Sequence, residues 1–123
     1  MTEFKKLPMV YIACQYTNGD IEKNKELIEA NVMICMNAVE ELMNSGRFVP
    51  YMTLLSHYYQ KNHYSHDWET WMKYSFQILS HCDILLRLPG TSKGADQEVE
   101  FAKQNNIPVY YSIEELINET CMA

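Results

Sequence analysis

The residue of this chain best placed to do chemistry is Glu98. It closes the stretch Cys82-Asp83-Ile84-Leu85-Leu86-Arg87-Leu88-Pro89-Gly90-Thr91-Ser92-Lys93-Gly94-Ala95-Asp96-Gln97-Glu98-Val99, which reads as a buried strand, a Gly/Ser turn and a helix start. With a helix from about Gly94 to Asn105, an advance of about 100° per residue groups Ala95, Val99, Phe101 and Ala102 in one apolar sector. Glu98 falls inside that sector, while Asp96, Gln97, Glu100, Lys103 and Gln104 fall opposite. A carboxylate among apolar side chains is costly unless something compensates it, and such groups concentrate at functional sites. The plainer reading is an acidic residue near the positive end of the helix dipole, half-exposed at the rim.

Other polar groups compete for a role. Ser92-Lys93-Gly94-Ala95 ahead of a helix offers backbone N–H groups, a hydroxyl and a cation, which suit a phosphate or a sugar hydroxyl. It matches neither the G-x-G-x-x-G fingerprint nor a P-loop, and a simple turn explains it equally well. Asn31 lies among Leu27, Ile34, Cys35 and Ala38, and Ser75 among Trp68, Trp71, Met72 and Leu79. A buried Asn needs a partner, in a ligand or in a loop carbonyl, and a lone Ser in such a face reads as a small packing residue. Tyr11 and Tyr16 bracket the end of the first strand, where a phenol can bond a sugar or a carboxylate. His57, His63, His66 and Asp67 invite a metal reading, but their spacing lacks a Cys partner and makes a poor zinc site, so no metal is expected. Nothing links His57 or His81 to a nucleophile in a triad.

The elements that must position these groups follow from periodicity. Met9 to Cys14 after Pro8 is a strand covered on both faces. From about Asp20 to Asn44, Leu27, Ile34, Cys35, Ala38 and Leu42 recur at helical spacing, with Ser45-Gly46 as the stop. Arg47 to Tyr51 predicts a short second strand whose pairing ends near Pro50. Met52 to Asp67 is ambiguous and includes a surface loop. Trp68, Trp71, Met72, Ile78 and Leu79 mark a helix with Asp67 as N-cap. Asp83 to Leu88 and Ile107 to Tyr111 are further strands, and Ser112-Ile113-Glu114-Glu115 opens a last short helix with a capping box. This alternation predicts an α/β fold, a three-layer sandwich around a mainly parallel four- or five-stranded sheet of flavodoxin/Rossmann-like type. In such sheets ligands bind beyond the carboxyl ends of the strands, where strand order reverses. The loops concerned are Gln15 to Gly19, Tyr51 to Thr53 and Pro89 to Gly94.

Composition bounds the remainder. At 123 residues the chain is expected to form one domain over 1–123, burying roughly two thirds of its unfolded surface. A net charge of -6 with no Lys/Arg block disfavours a nucleic-acid duplex or an anionic membrane as partner, leaving a small molecule or a protein. No apolar run is long enough for a signal peptide or a membrane span, so a cytoplasmic location is expected. Cys14, Cys35, Cys82 and Cys121 are widely spaced, without a C-x-x-C pair, and read as reduced core residues.

Taken together, Val10-Tyr11-Ile12-Ala13, Asn31, Phe48-Val49-Pro50, Trp71, Cys82-Asp83 and Arg87-Leu88-Pro89-Gly90-x-Ser92-x-Gly94-Ala95-x-x-Glu98 resemble the nucleoside 2-deoxyribosyltransferase-like superfamily, in particular its small uncharacterised DUF4406-type branch. The likeness runs from Met9 to about Leu116. It implies that Glu98 is a nucleophile attacking the anomeric carbon of a nucleoside or nucleoside monophosphate, that Tyr11 orients it, and that Ser92 and Gly94 belong to the loop holding the sugar or its 5'-phosphate. The glycosyl-enzyme formed would be released to water or to a second base, through an oxocarbenium-like state that a carboxylate stabilises. It also implies a homodimer or homotetramer, since relatives often complete the site with a neighbouring subunit. Members of the branch carry an aspartate at the position of Ser75 and a histidine at that of Tyr51.

The expected function is therefore an N-glycosidase or deoxyribosyltransferase-like enzyme with Glu98 and Tyr11 catalytic and no cofactor. Gln15, Tyr16, Asn31, Tyr51, Ser75, Gly90, Ser92 and Gly94 are its candidate substrate-binding residues. The alternatives are a non-catalytic binder of a nucleotide or nucleotide signal, and an interaction module using the Met- and Tyr-rich surface.

Overall fold

Apolar runs become strands, and the amphipathic segments between them cover both faces of the resulting sheet. The computed structural model describes residues 4–15, 25–52 and 66–120. Within them the order is β1 (Met9–Ala13), α1 (Lys25–Ser45), β2 (Val49–Met52), α2 (Trp68–Ser80), β3 (Ile84–Arg87), α3 (Lys93–Gln104), β4 (Val109–Tyr110) and α4 (Ile113–Thr120). The four strands form one sheet in the order β2-β1-β3-β4, and every pairing is parallel. This is the α/β three-layer architecture that the alternating pattern predicts.

Strand parity sorts the core into two layers. Val10, Ile12, Ile84 and Leu86 face one way, against Cys35, Ala38 and Leu42 of α1 and Leu116 of α4. Tyr11, Ala13 and Leu85 face the other way, against Leu79 of α2 and Ala95, Val99 and Ala102 of α3. β1 and β3 are central and almost wholly buried, whereas β2 and β4 are half-buried edges. The strand order reverses between β1 and β3, so the crevice at their carboxyl ends is the topological switch point.

Local chemistry explains the helix boundaries. Asp67 caps α2 by accepting from the Thr70 N–H at 2.7 Å. Ser92 caps α3 by accepting from the Ala95 N–H at 3.1 Å, and Ser112 caps α4 by accepting from the Glu115 N–H at 3.0 Å. Beyond α3, Asn105 and the left-handed Asn106 make the turn into β4.

Several sequence expectations need correction. The inward stripe of α1 is Ile28, Asn31, Val32, Cys35, Ala38 and Leu42, while Leu27 and Ile34 are 47% and 53% exposed. Apolar residues occur nearly all round this helix, Met33, Met36 and Met43 included, so periodicity alone leaves its phase open, and the side chains that meet Val10 and Ile12 set it. Pairing of β2 continues through Pro50, opposite Val10, to Met52, opposite Ile12. β2 is an edge strand, and Val49 donates to Pro8 O at 2.9 Å. Pro50, one residue on, therefore directs its missing donor to the open side. Trp68 is not a core residue of α2 but is 46% exposed, while Met72, Ser75 and Leu79 are buried. The last strand is shorter than the run Ile107 to Tyr111, because only Val109 and Tyr110 pair with β3. Finally, Cys14 and Cys35 are joined by a disulfide and are not reduced core residues. Cys14 directly follows β1 and Cys35 lies on the inner face of α1, so stacking that helix on the sheet brings together two cysteines 21 positions apart, with a Cα–Cα separation of 6.7 Å. Cys82 is a buried free thiol, and Cys121 lies outside the described residues.

Candidate active site

The face of the sheet covered by α2 and α3 carries the candidate chemistry. Tyr11 is the central inward residue of β1 on that face and is buried. Glu98 projects from the second turn of α3, one helical turn beyond Gly94, and is buried as well. The phenolic hydroxyl of Tyr11 donates to Glu98 Oε2 in a short hydrogen bond. Tyr51 stands opposite Tyr11 in the β1–β2 register, and their ring centroids lie 5.6 Å apart.

Arg87 forms the third part of the arrangement. Ala13 pairs with Arg87 in the register, so the guanidinium faces the α3 layer at the carboxyl end of β3. It donates to the carbonyl of Leu88, to Gly90 O at 2.8 Å and to Asp96 Oδ1 at 3.1 Å. A buried cation thereby ties the loop after β3 to the first turn of α3. Asp96 is 71% exposed, and the ion pair lies at the solvent edge. The sequence shows this residue only as a charge ending an apolar run, Ile84-Leu85-Leu86-Arg87. A cation at the end of a strand buried on both faces is the signal that could have singled it out.

These neighbours set the electrostatics of Glu98. Burial pushes its carboxyl up to about 7, against the lowering effects of the Tyr11 hydrogen bond and the Arg87 charge. Near neutral pH the group is thus divided between carboxylate and acid. The Tyr51 phenol is also raised, first by burial and then by repulsion from Cys82 and Glu98 in their ionised forms.

The remaining candidates divide. Gln15 and Gly90 meet: an added Cβ on Gly90 would lie 2.6 Å from Gln15 Oε1, and Gly90 has φ +132°. At Gly94 an added Cβ would lie in ordinary van der Waals contact, 3.4 Å from Met72 Sδ and 3.9 Å from Trp68 Nε1, so the packing of α3 on α2 leaves room for a methyl there. Lys93 sits 4.9 Å over the Trp68 ring. The Ser92 hydroxyl oxygen serves as the α3 cap. Ser75 is buried in α2, in the same layer as Glu98. Asn31 is buried in α1, and the sheet stands between that helix and α3. Tyr16 lies outside the described residues, as do His57 and His63. His66 packs edge-on against Trp71 and Asp67 caps α2. Asp83 accepts from the Met9 N–H at 2.8 Å, which fixes it at the amino end of the sheet, away from the crevice. Among the described residues no group of three His, Cys, Asp or Glu side chains could hold a metal ion, and no helix is long and apolar enough to cross a membrane.

Residues 8–114 match the family described as a domain of unknown function, DUF1937. The chain is a member of that family. Its DUF1937 region contains all four strands and both Tyr11 and Glu98. The family description states no activity, and no curated protein or solved structure matches the chain.

Proposed function

We propose that this DUF1937 chain is an N-glycosidase or glycosyltransferase that cleaves the glycosidic bond of a nucleoside or nucleoside monophosphate, with Glu98 as nucleophile. The observation that carries this reading is the buried Tyr11–Glu98 pair in the layer beside the switch point of a parallel sheet. A carboxyl pushed up to about 7 is a stronger base than an exposed one yet is substantially ionised at neutral pH. With Oε2 engaged by Tyr11, Oε1 is the oxygen presented to the anomeric carbon. Attack forms the glycosyl ester and expels the base with its bonding pair; the base takes a proton from solvent. Water then attacks the same carbon, frees the sugar and returns the carboxylate, or a second base does so in transfer. The nucleoside deoxyribosyltransferase-like pattern Ser92-x-Gly94-Ala95-x-x-Glu98 supports this choice of substrate class.

A second reading, a nucleotide-binding protein without turnover, is favoured by one observation: Ser75, where the resembling branch has an acid, is buried and offers only a hydroxyl. The exposed Leu27, Met33, Ile34, Met36 and Met43 of α1 support self-association into a homodimer or homotetramer. The deciding experiment incubates the protein with ribo- and deoxyribonucleosides and their monophosphates and follows free-base release by chromatography. Release by wild type, abolished in Glu98→Ala, is the expected result. No release, with thermal stabilisation by one of the nucleotides, would replace the enzyme with the binding protein.

A further inference from the structure

The Cys14–Cys35 bond lies just beyond the carboxyl end of β1, on the α1 face of the sheet and across it from Tyr11 and Glu98. Cys14 is partly exposed and directly follows β1; Cys35 is buried on α1. The bond therefore pins the carboxyl end of β1 to the helix on the opposite layer. Gln15, the next residue, is the one that abuts Gly90 in the loop after β3. Arg87 holds that loop from the other side through Gly90 O. The disulfide is thus one residue from the seam at which the β1 and β3 edges of the crevice meet.

Access at this bond is asymmetric. Cys14 is a partly buried residue at the margin of the core cluster, whereas Cys35 is 1% exposed, so an attacking thiol approaches from the Cys14 side. The other described cysteine, Cys82, packs in the α2–α3 layer at the amino end of β3. Burial, and then the charge of Asp83, push its thiol up to about 11, so at neutral pH it stays protonated and does not compete in exchange.

We propose that Cys14–Cys35 is a reversible thiol–disulfide site, exchanged by a small monothiol such as glutathione, whose state sets how firmly the Gln15–Gly90 seam is held. In the reducing direction a glutathione thiolate attacks Cys14 Sγ, forms the mixed disulfide and expels Cys35 as a thiolate, which takes up a proton. A second glutathione thiolate attacks the glutathione sulfur of the mixed disulfide and releases Cys14 and glutathione disulfide. Two electrons pass from two glutathiones to the protein pair, and the reverse sequence restores the bond. Oxidised, β1 and α1 are clamped beside the crevice; reduced, Gln15 is held by noncovalent packing alone.

Thiol–disulfide exchange at this pair does not depend on glycosidase activity and is measured without substrate. The folded protein is equilibrated in glutathione buffers of graded thiol to disulfide ratio, alkylated, and weighed as intact chain and as peptides, with amide exchange measured in parallel. Expected are paired, reversible labelling of Cys14 and Cys35 in protein that remains folded, and exchange at Leu88, whose N–H donates to Ala13 O beside the seam, faster by about threefold or more in the reduced form. Amides of Val99 and Ala102 should hold their protection. Cys14→Ser, which cannot form the bond, should exchange like the reduced form under every buffer. A bond that yields only when the whole chain unfolds, a pair that glutathione disulfide does not re-form, or unchanged exchange at Leu88 on reduction would each overturn the proposal.

Discussion

Tyr11 and Glu98 stand 87 positions apart in the chain and meet in one buried hydrogen bond, phenol to Oε2. The contact joins the central strand to the helix that follows β3. It gives a carboxylate in an apolar layer the charge-assisted partner without which its burial would be prohibitive. Arg87 adds a positive charge from the same face, and burial still outweighs both.

Removing the phenolic hydroxyl tests this balance directly. In Tyr11→Phe the ring still packs, but the hydrogen bond that lowers the Glu98 pKa is lost. A hydrogen bond to a charged group contributes about 1.5–3 kcal/mol, so the titration should move above 7 by about one unit or more. A carbon-detected NMR titration of the side-chain carboxyl reads the shift. An unmoved midpoint would show that the bond does not stabilise the carboxylate.

Glu98 also makes stability depend on pH. Its folded pKa of about 7 exceeds the ordinary 4.5, so between these values the folded chain keeps a proton that the unfolded chain has released. Stability is therefore full below pH 4.5 and falls as pH rises through about 7. The whole loss is on the order of 3 kcal/mol. Glu98→Gln keeps an oxygen for Tyr11 and removes the titration. Urea denaturation should find the variant more stable than wild type at pH 8, with the difference shrinking as pH falls toward 4.5.

Arg87 and Asp96 form an ion pair whose two members should respond unequally. Asp96 is largely exposed, and Asp96→Ala should cost no more than about 0.5 kcal/mol. Arg87→Met strips donors from the carbonyls of Leu88 and Gly90 and should cost about 2–3 kcal/mol. It also removes the positive charge acting on Glu98, whose pKa should rise again. Denaturation curves of both variants, beside the carboxyl titration of Arg87→Met, separate loop anchoring from electrostatics.

The legible and illegible parts of the chain differ in a physical way. Glu98 could be read from one helix because its apolar neighbours Ala95, Val99 and Ala102 define a single narrow sector, and that sector is the buried one. α1 could not be phased, since Leu27, Met33, Ile34 and Met43 are apolar and exposed beside an equally apolar inner face. Pro50 reads as a break in pairing until β2 is known to be an edge. Arg87 was visible as a type, but its role depends on where the Gly90 carbonyl and Asp96 lie once the loop has turned. The Cys14–Cys35 pairing depends on stacking α1 against the end of β1, a tertiary fact that spacing does not encode.

Gly90 and Gln15 offer the sharpest test of how the two edges of the crevice fit. Gly90 holds φ +132°, which side-chain-bearing residues rarely adopt, and a methyl there would sit 2.6 Å from Gln15 Oε1 and 3.2 Å from Gln15 Cβ. Gly90→Ala should therefore cost about 1–3 kcal/mol, chiefly from backbone strain, because Gln15 Oε1 ends a flexible side chain that can swing aside and only its Cβ stays close. Gln15→Ala removes the nearer atom but not Cβ, and leaves the dihedral strain untouched. Combined with Gly90→Ala it should restore part of the loss, so the double variant is more stable than the two single costs predict. Strict additivity in the denaturation data would mean that backbone strain alone accounts for the cost. It would also mean that the Gln15 side chain does not constrain the loop leading into α3.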